Sequence, residues 1–278
     1  MKRPSFDKKY ILSELDKLSE EISIPVKLFI IGGLALIHFG LKDATKDIDV
    51  VVLSESELNA LIRALKRLGY TARSNLTISK PYKKMAASRI LENRDGFRWD
   101  IFYRKVCGAL TFSTGMISRA TSFYSKKLLK VMLASKEDIF LFKGITEREA
   151  DLGDMRLLAE SGLNWKVIEQ ECRYQSGSSG MLWEYALLQN LITLRERYKI
   201  KSPIEKALQR VVEEKLIEDV LVQLIKQGCT TIRMIYNNLI SRNIDLPEYL
   251  IRKYIRRMEE KGLLKVDRSS RPYKLSLI

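Results

Sequence analysis

Apolar positions 11, 15, 18 and 22 recur at steps of four, three and four, so residues 6–22 predict an amphipathic helix that Pro25 ends. Residues 26–31 form a short apolar run, read as a strand, that stops at Gly32-Gly33. A brief helical stretch follows, and a second apolar run opens with Asp47-Ile48-Asp49 and continues to Leu53. Ser54 and Glu57 have the spacing of a capping box. Leu58, Leu61, Ile62, Leu65 and Leu68 carry the helix that this box starts, and Gly69 ends it. Further strands are expected at 70–74, 87–92 and 97–103, with 80–82 a loop and the Asp95-Gly96 turn joining the last two strands. From Ser135 the pattern is helical through Cys172. Residues 175–180, rich in Ser and Gly, read as a loop or hinge, 181–198 as a helix and 199–203 as a linker. Three more helices are expected at 204–226, 230–240 and 246–261, with Pro247 in the first turn of the third. Two short strands, 262–264 and 273–278, then enclose a turn at 267–272.

With 278 residues the chain can bury a sizeable core and hold two or three domains. Cys107, Cys172 and Cys229 are scattered, with neither metal-ligand spacing nor a paired framework, and read as reduced thiols of a cytoplasmic protein. No apolar run approaches the length of a membrane span, and the charged start has no apolar signal core behind it. Charge changes the picture most. Lys and Arg outnumber Asp and Glu, 49 to 34, for a net charge of +15. Charged surfaces also mark proteins from hot environments, but those are more evenly balanced, so the excess points to a polyanionic partner.

The candidate chemistry lies at 29–53. Side chains alternate along a strand, so Asp47 and Asp49 point the same way and repel each other unless a cation intervenes. Hard carboxylate oxygens suit magnesium, or manganese, completed by water and phosphate oxygens. Gly32 and Gly33 allow a tight turn close to a ligand, and the helix after them directs N–H groups at an anion. Solvated acids at a strand end are the plainer alternative. Asp100 sits inside the aromatic strand Phe97-Arg98-Trp99-Asp100-Ile101-Phe102-Tyr103, where a carboxylate is costly unless paired or metal-bound, or else faces solvent by alternation.

Gly-Gly followed by Thr45-Lys46-Asp47-Ile48-Asp49 resembles the signature of the nucleotidyltransferase superfamily, the polymerase-beta-like fold, in its minimal and toxin–antitoxin-associated branches. The resemblance covers about half the chain. It implies an α+β fold with a mixed sheet and flanking helices over 1–134, and a helical extension over 135–204. It also implies a magnesium ion on Asp47, Asp49 and Asp100, with Asp100 activating an acceptor hydroxyl and an NTP as substrate. Gly32, Gly33, Lys46 and Lys143 would then contact the nucleotide. Lys143, Arg148, Asp151 and Asp154 resemble a Lys and Arg-x-x-Asp-x-x-Asp pattern that follows the catalytic domain in several members. Arg148, Asp151 and Asp154 equally suit an ion-pair ladder along one helix face. The single histidine, His38, reads as packed or half-exposed rather than catalytic.

Three helices followed by a hairpin over 205–278, ending in Glu-x-x-Gly-Leu-Leu and a basic turn, looks like a winged helix-turn-helix domain. Such a domain would place Tyr249, Arg252, Lys253, Arg256 and Arg257 in a DNA or RNA groove, with Arg268, Arg271 and Lys274 reaching phosphates. Winged helices also serve protein partners. The expectation is therefore an enzyme that moves a nucleotidyl group to a hydroxyl of nucleic acid or protein. The alternative is a DNA-binding regulator or toxin–antitoxin component whose fold senses nucleotide or pairs with a partner without turnover.

Overall fold

Apolar alternation and glycine punctuation build an α+β protein around a mixed sheet. The computed structural model describes residues 3–72, 87, 89–146 and 148–278, so the loop expected at 80–82 and the end of the strand expected at 70–74 lie outside the described residues. Two compact units divide the chain, Met1–Glu205 and Lys206–Ile278.

In the first unit, β1 (Val26–Ile30) is flanked by β2 (Asp47–Val52), antiparallel, and β9 (Leu129–Leu133), parallel. On the far side of β2 lies β5 (Arg98–Tyr103), also parallel to it. Beyond β5 come β4 (Arg89–Glu92) and the two-residue β3 (Thr71–Ala72), and β8 (Thr121–Lys126) closes the opposite edge. Strands buried on both faces need apolar side chains on both, and β1 and β5 supply them with Leu28, Phe29, Ile30, Trp99, Ile101 and Phe102. The hydrophobic pattern names no element between 104 and 134. The structure puts five there: the small hairpin of β6 (Lys105–Val106) and β7 (Leu110–Thr111), α4 (Thr114–Arg119), β8 and β9. Pairing with β1, about a hundred residues earlier in the chain, is what makes β9 a central strand.

Helix α1 (Lys8–Glu21) is capped by Asp7, whose carboxylate accepts from Tyr10 N. It buries Ile11, Leu15 and Leu18 and packs against α3 (Glu55–Arg67), which also meets β1 and β2. Ser54 and Glu57 form the capping box that starts α3. After β9, Ser135 caps α5 (Lys136–Gly144), which packs with α6 (Glu149–Glu160), α7 (Trp165–Ser179) and α8 (Trp183–Tyr198). The loop or hinge expected at 175–180 is instead the last turn of α7, closed by Gly180 in the left-handed conformation. Gln175 is buried there, donating to Thr111 O and Glu171 and accepting from Thr111 N, so tertiary hydrogen bonds override the local Ser/Gly preference.

The second unit packs α9 (Glu205–Lys226), α10 (Ile232–Ser241), α11 (Glu248–Glu260) and the antiparallel hairpin of β10 (Leu264–Asp267) and β11 (Lys274–Leu277). Its core joins Leu221, Leu224, Ile235, Leu239, Ile251, Ile255, Met258, Leu264 and Leu275. Pro247 is the N-cap of α11 rather than a first-turn residue. Among the described residues no helix is long and apolar enough to cross a membrane.

Candidate active site

Strand pairing assembles the acids. In the β2–β5 ladder Asp47 stands opposite Arg98 and Asp49 opposite Asp100, so alternation puts all four side chains on one face. The three acids border a cavity of about 290 Å³ whose lining also includes Gly32, Gly33, Lys42, Lys46, Lys143 and Arg148. The predicted acids, glycines and both lysines are therefore brought together, and Asp100 is buried rather than facing solvent.

The glycines have a local reason to be glycine. A Cβ on Gly32 would lie 1.7 Å from Asp49 Oδ2, and one on Gly33 would lie 2.3 Å from Thr45 Oγ1. The turn thus gives its side-chain space to the acid strand and the loop before it. Thr45 Oγ1 donates to the carbonyl of Asp47 at 3.0 Å. The N-terminal segment laces the same loop, with Phe6 N donating to Thr45 O at 2.7 Å and Thr45 N to Phe6 O at 3.0 Å.

Arg98, which the motif reading does not use, is the main counter-charge. Its Nη2 donates to Asp100 Oδ2 at 2.6 Å and to Asp47 Oδ2 at 3.0 Å, and its side chain is only 5% exposed. Arg3 adds a bond to Asp47 Oδ2 at 3.2 Å and one to the carbonyl of Lys46 at 2.8 Å. A signal for Arg98 was present: two residues before Asp100 on a strand, it must share that acid's face. Burial pushes the Asp49 carboxyl well above the usual range, reinforced by the charges of Asp47 and Asp100 and opposed by Lys143 and Arg98. Burial likewise lifts Asp100, to about 6, against the pull of Arg98.

Among the described residues no group of three or more His, Cys, Asp or Glu is arranged to hold a metal ion. The donors that remain nevertheless suit one hard cation. Asp100 Oδ1 is buried with no hydrogen-bond partner, and Asp49 stands beside it without a matching positive neighbour in the ladder. Two carboxylates, completed by water and phosphate oxygens, are what magnesium ordinarily takes from a protein.

The same cavity is lined by an ion-pair cluster from α5, α6 and the loop before β2. Lys143 Nζ reaches Asp151 Oδ1 at 3.0 Å and Asp154 Oδ2 at 2.7 Å, and Thr146 Oγ1 donates to Asp151 Oδ2 at 2.6 Å. Burial alone would lower the Lys143 pKa, but Asp151 and Asp154 outweigh it and hold it above its ordinary value. Arg148 does not share a helix face with these acids: it is the extended N-cap of α6, with Nε 3.6 Å from Asp151 Oδ2. Lys42, from the loop between α2 (Gly33–His38) and β2, pairs with Asp154. No spacing in the sequence marks it. His38 is exposed and sits edge-on to Phe39 and Phe123 at 5.8 and 5.4 Å.

In the second unit the candidate nucleic-acid residues divide by pairing. Arg252 pairs with Glu248, Arg257 with Glu214 at 2.8 Å, and Arg268 with both oxygens of Glu259 at 2.7 and 2.6 Å. Lys253 and Arg256 are exposed on α11 with Tyr249, which is 69% exposed, and make no ion pair among the described residues. Lys274 is exposed on β11, and the Arg271 guanidinium lies 5.9 Å from the centre of the Tyr273 ring.

No protein-family model matches the sequence, and no curated protein matches it. Solved structures that superpose include the antibiotic-resistance factor ANT(2'')-Ia in solution, at 15% identity and a TM-score of 0.42, covering 63% of this chain and 96% of that one. A crystal structure of ANT(2'')-Ia in complex with adenylyl-2''-tobramycin gives 16% identity and a TM-score of 0.41, covering 61% and 99%. Likeness of that extent is not evidence of a shared activity.

Proposed function

We propose that the first unit is a nucleotidyltransferase that moves a nucleotidyl group from an NTP to an acceptor hydroxyl. The observation that carries this reading is the Asp49–Asp100 pair, in register beside a cavity that Gly32, Gly33, Lys42, Lys46 and Lys143 also line. Asp49 and Asp100, with Asp47 beside them, would hold a divalent ion, magnesium or manganese. Bound there, it would neutralise charge on the triphosphate and the leaving group. Gly32 and Gly33 let the backbone approach the phosphates, and Lys46 and Lys143 contact them. Asp100 takes the proton of the acceptor hydroxyl. The hydroxyl oxygen bonds the α-phosphorus as the bond to the β-phosphate oxygen breaks, and pyrophosphate leaves.

The second unit we read as a winged helix that brings the enzyme to nucleic acid, through Tyr249, Lys253 and Arg256 first. Its 15 Lys and Arg against 9 Asp and Glu over residues 206–278 support that partner. A protein target or partner is the other use such a module has.

A second reading has its own observation. Arg98 already neutralises Asp47 and Asp100, as a fold that has given up catalysis would arrange. The chain would then be a DNA-binding regulator or a toxin–antitoxin component that senses nucleotide without turnover. Calorimetry of each NTP with magnesium, on the wild type and on a double Asp47→Asn, Asp49→Asn variant, decides between them. Wild-type binding that the variant loses, followed by pyrophosphate release with an acceptor, upholds the enzyme. Binding without pyrophosphate release across nucleic-acid and protein acceptors upholds the sensor.

A further inference from the structure

Asp154 is shared by two lysines from different parts of the chain. Its Oδ2 takes Lys143 Nζ from α5, and its Oδ1 takes Lys42 Nζ from the loop that leads into the acid strand. The carboxylate is 11% exposed, Lys143 14% and Lys42 34%, and all three line the cavity, Lys42 the most open to solvent. One ammonium would satisfy a buried carboxylate. Two converge here, and each ammonium has three donors. Lys143 spends two on Asp151 and Asp154, whereas Lys42 makes a single ion pair with Asp154 and keeps N–H groups for the cavity that it lines.

We propose that Lys42 is a further phosphate-binding lysine beside Lys46 and Lys143, held by Asp154 next to Lys143 so that the Lys42 and Lys143 ammoniums flank one polyphosphate chain. The inference rests on the nucleotidyl-transfer reading above and gives that reading a partner for the far end of the triphosphate. The acids and a bound cation would take the reacting end, while Gly32 and Gly33 offer the phosphates close backbone approach rather than charge. Asp154 is a positioning residue in this arrangement: it sets the spacing of the two lysines and touches no phosphate. A monophosphate or an uncharged nucleoside is too short, or lacks the charge, to engage both ends.

The test is calorimetric titration of inorganic tripolyphosphate with magnesium into the full-length chain, comparing wild type, Lys42→Ala and Lys42→Arg. Loss of a charge-assisted bond predicts binding weaker by roughly tenfold or more in Lys42→Ala. Lys42→Arg, which keeps the charge, should stay within about threefold of wild type by the same reasoning. Retained Mn2+ affinity in Lys42→Ala, read by electron paramagnetic resonance, would show that the acid end is intact. Equal tripolyphosphate binding by wild type and Lys42→Ala overturns the inference and leaves the nucleotidyl-transfer reading standing, with the Lys42–Asp154 pair a strut between loop and helix. A wild type that binds neither tripolyphosphate nor any NTP overturns both.

Discussion

Asp49 and Asp100 face each other across a parallel strand pair, one residue on each of β2 and β5 in register, with Asp100 Oδ1 buried and unbonded. Two carboxylates so placed resist ionising together. A folded-state pKa raised above the unfolded value means that the native chain holds its proton longer than the unfolded one. The associated stability is therefore fully present below the unfolded pKa and is lost as pH rises through the folded one. For Asp100 that window runs from its ordinary value of 3.8 to about 6. With metal chelated, the wild type should lose stability across that range and Asp100→Asn should lose less. The difference is expected to be on the order of 2–3 kcal/mol by linkage. Urea unfolding at pH 4 and pH 7 measures it. Parallel losses in the two proteins would disprove the shift.

Arg98 makes a separate prediction, because it is the cation that lets Asp47 and Asp100 share a buried face. Removing one partner of a buried ion pair costs about 3–5 kcal/mol, since the remaining charge is stranded. Arg98→Met should destabilise the metal-free chain by about that much. Divalent cation should then raise its melting temperature more than it raises that of wild type. An unchanged melting temperature would mean that Arg98 is not carrying the acids' charge.

Gly32 tests the turn. A methyl group placed 1.7 Å from Asp49 Oδ2 forces either the carboxylate or the turn to move. Gly32→Ala is expected to cost ~1–3 kcal/mol as overpacking. It should also weaken Mn2+ binding, which a purely structural glycine would not affect. Thermal melts and Mn2+ titration of the same sample separate the two effects.

Much of this site was legible in the sequence where its determinants are local. Period-two alternation puts Asp47 and Asp49 on one face, Ser54 and Glu57 announce their helix, and Asp100 stands out as an acid in an aromatic strand. What stayed hidden depends on contacts between distant residues. β9 has a modest sequence and is central only because β1 pairs with it. Lys42 matters only because Asp154, far along the chain, comes to meet it. Residues 175–180 look like a hinge until Gln175 is seen bonded to Thr111. Arg98 is the exception: alternation alone places it on the face of Asp100.

On the second unit, pairing separates cations free to meet a polyanion from those already engaged. Arg268 is gripped by both oxygens of Glu259, and Arg257 is bound to Glu214, so recruiting either to a phosphate first breaks an ion pair. Lys253 and Arg256 carry no such cost and share the exposed side of α11 with Tyr249. If this helix meets DNA, each phosphate contact releases counterions and steepens the salt dependence of binding. A double Lys253→Ala, Arg256→Ala variant should lower the slope of log K against log salt by about 2, one per lost contact, across unrelated duplex sequences. Arg268→Ala should lower it less than either single change in that pair. Fluorescence anisotropy of a short random-sequence duplex over a salt series reads all of these slopes. A flat salt dependence in the wild type would remove nucleic acid as the partner and turn the same exposed face toward a protein.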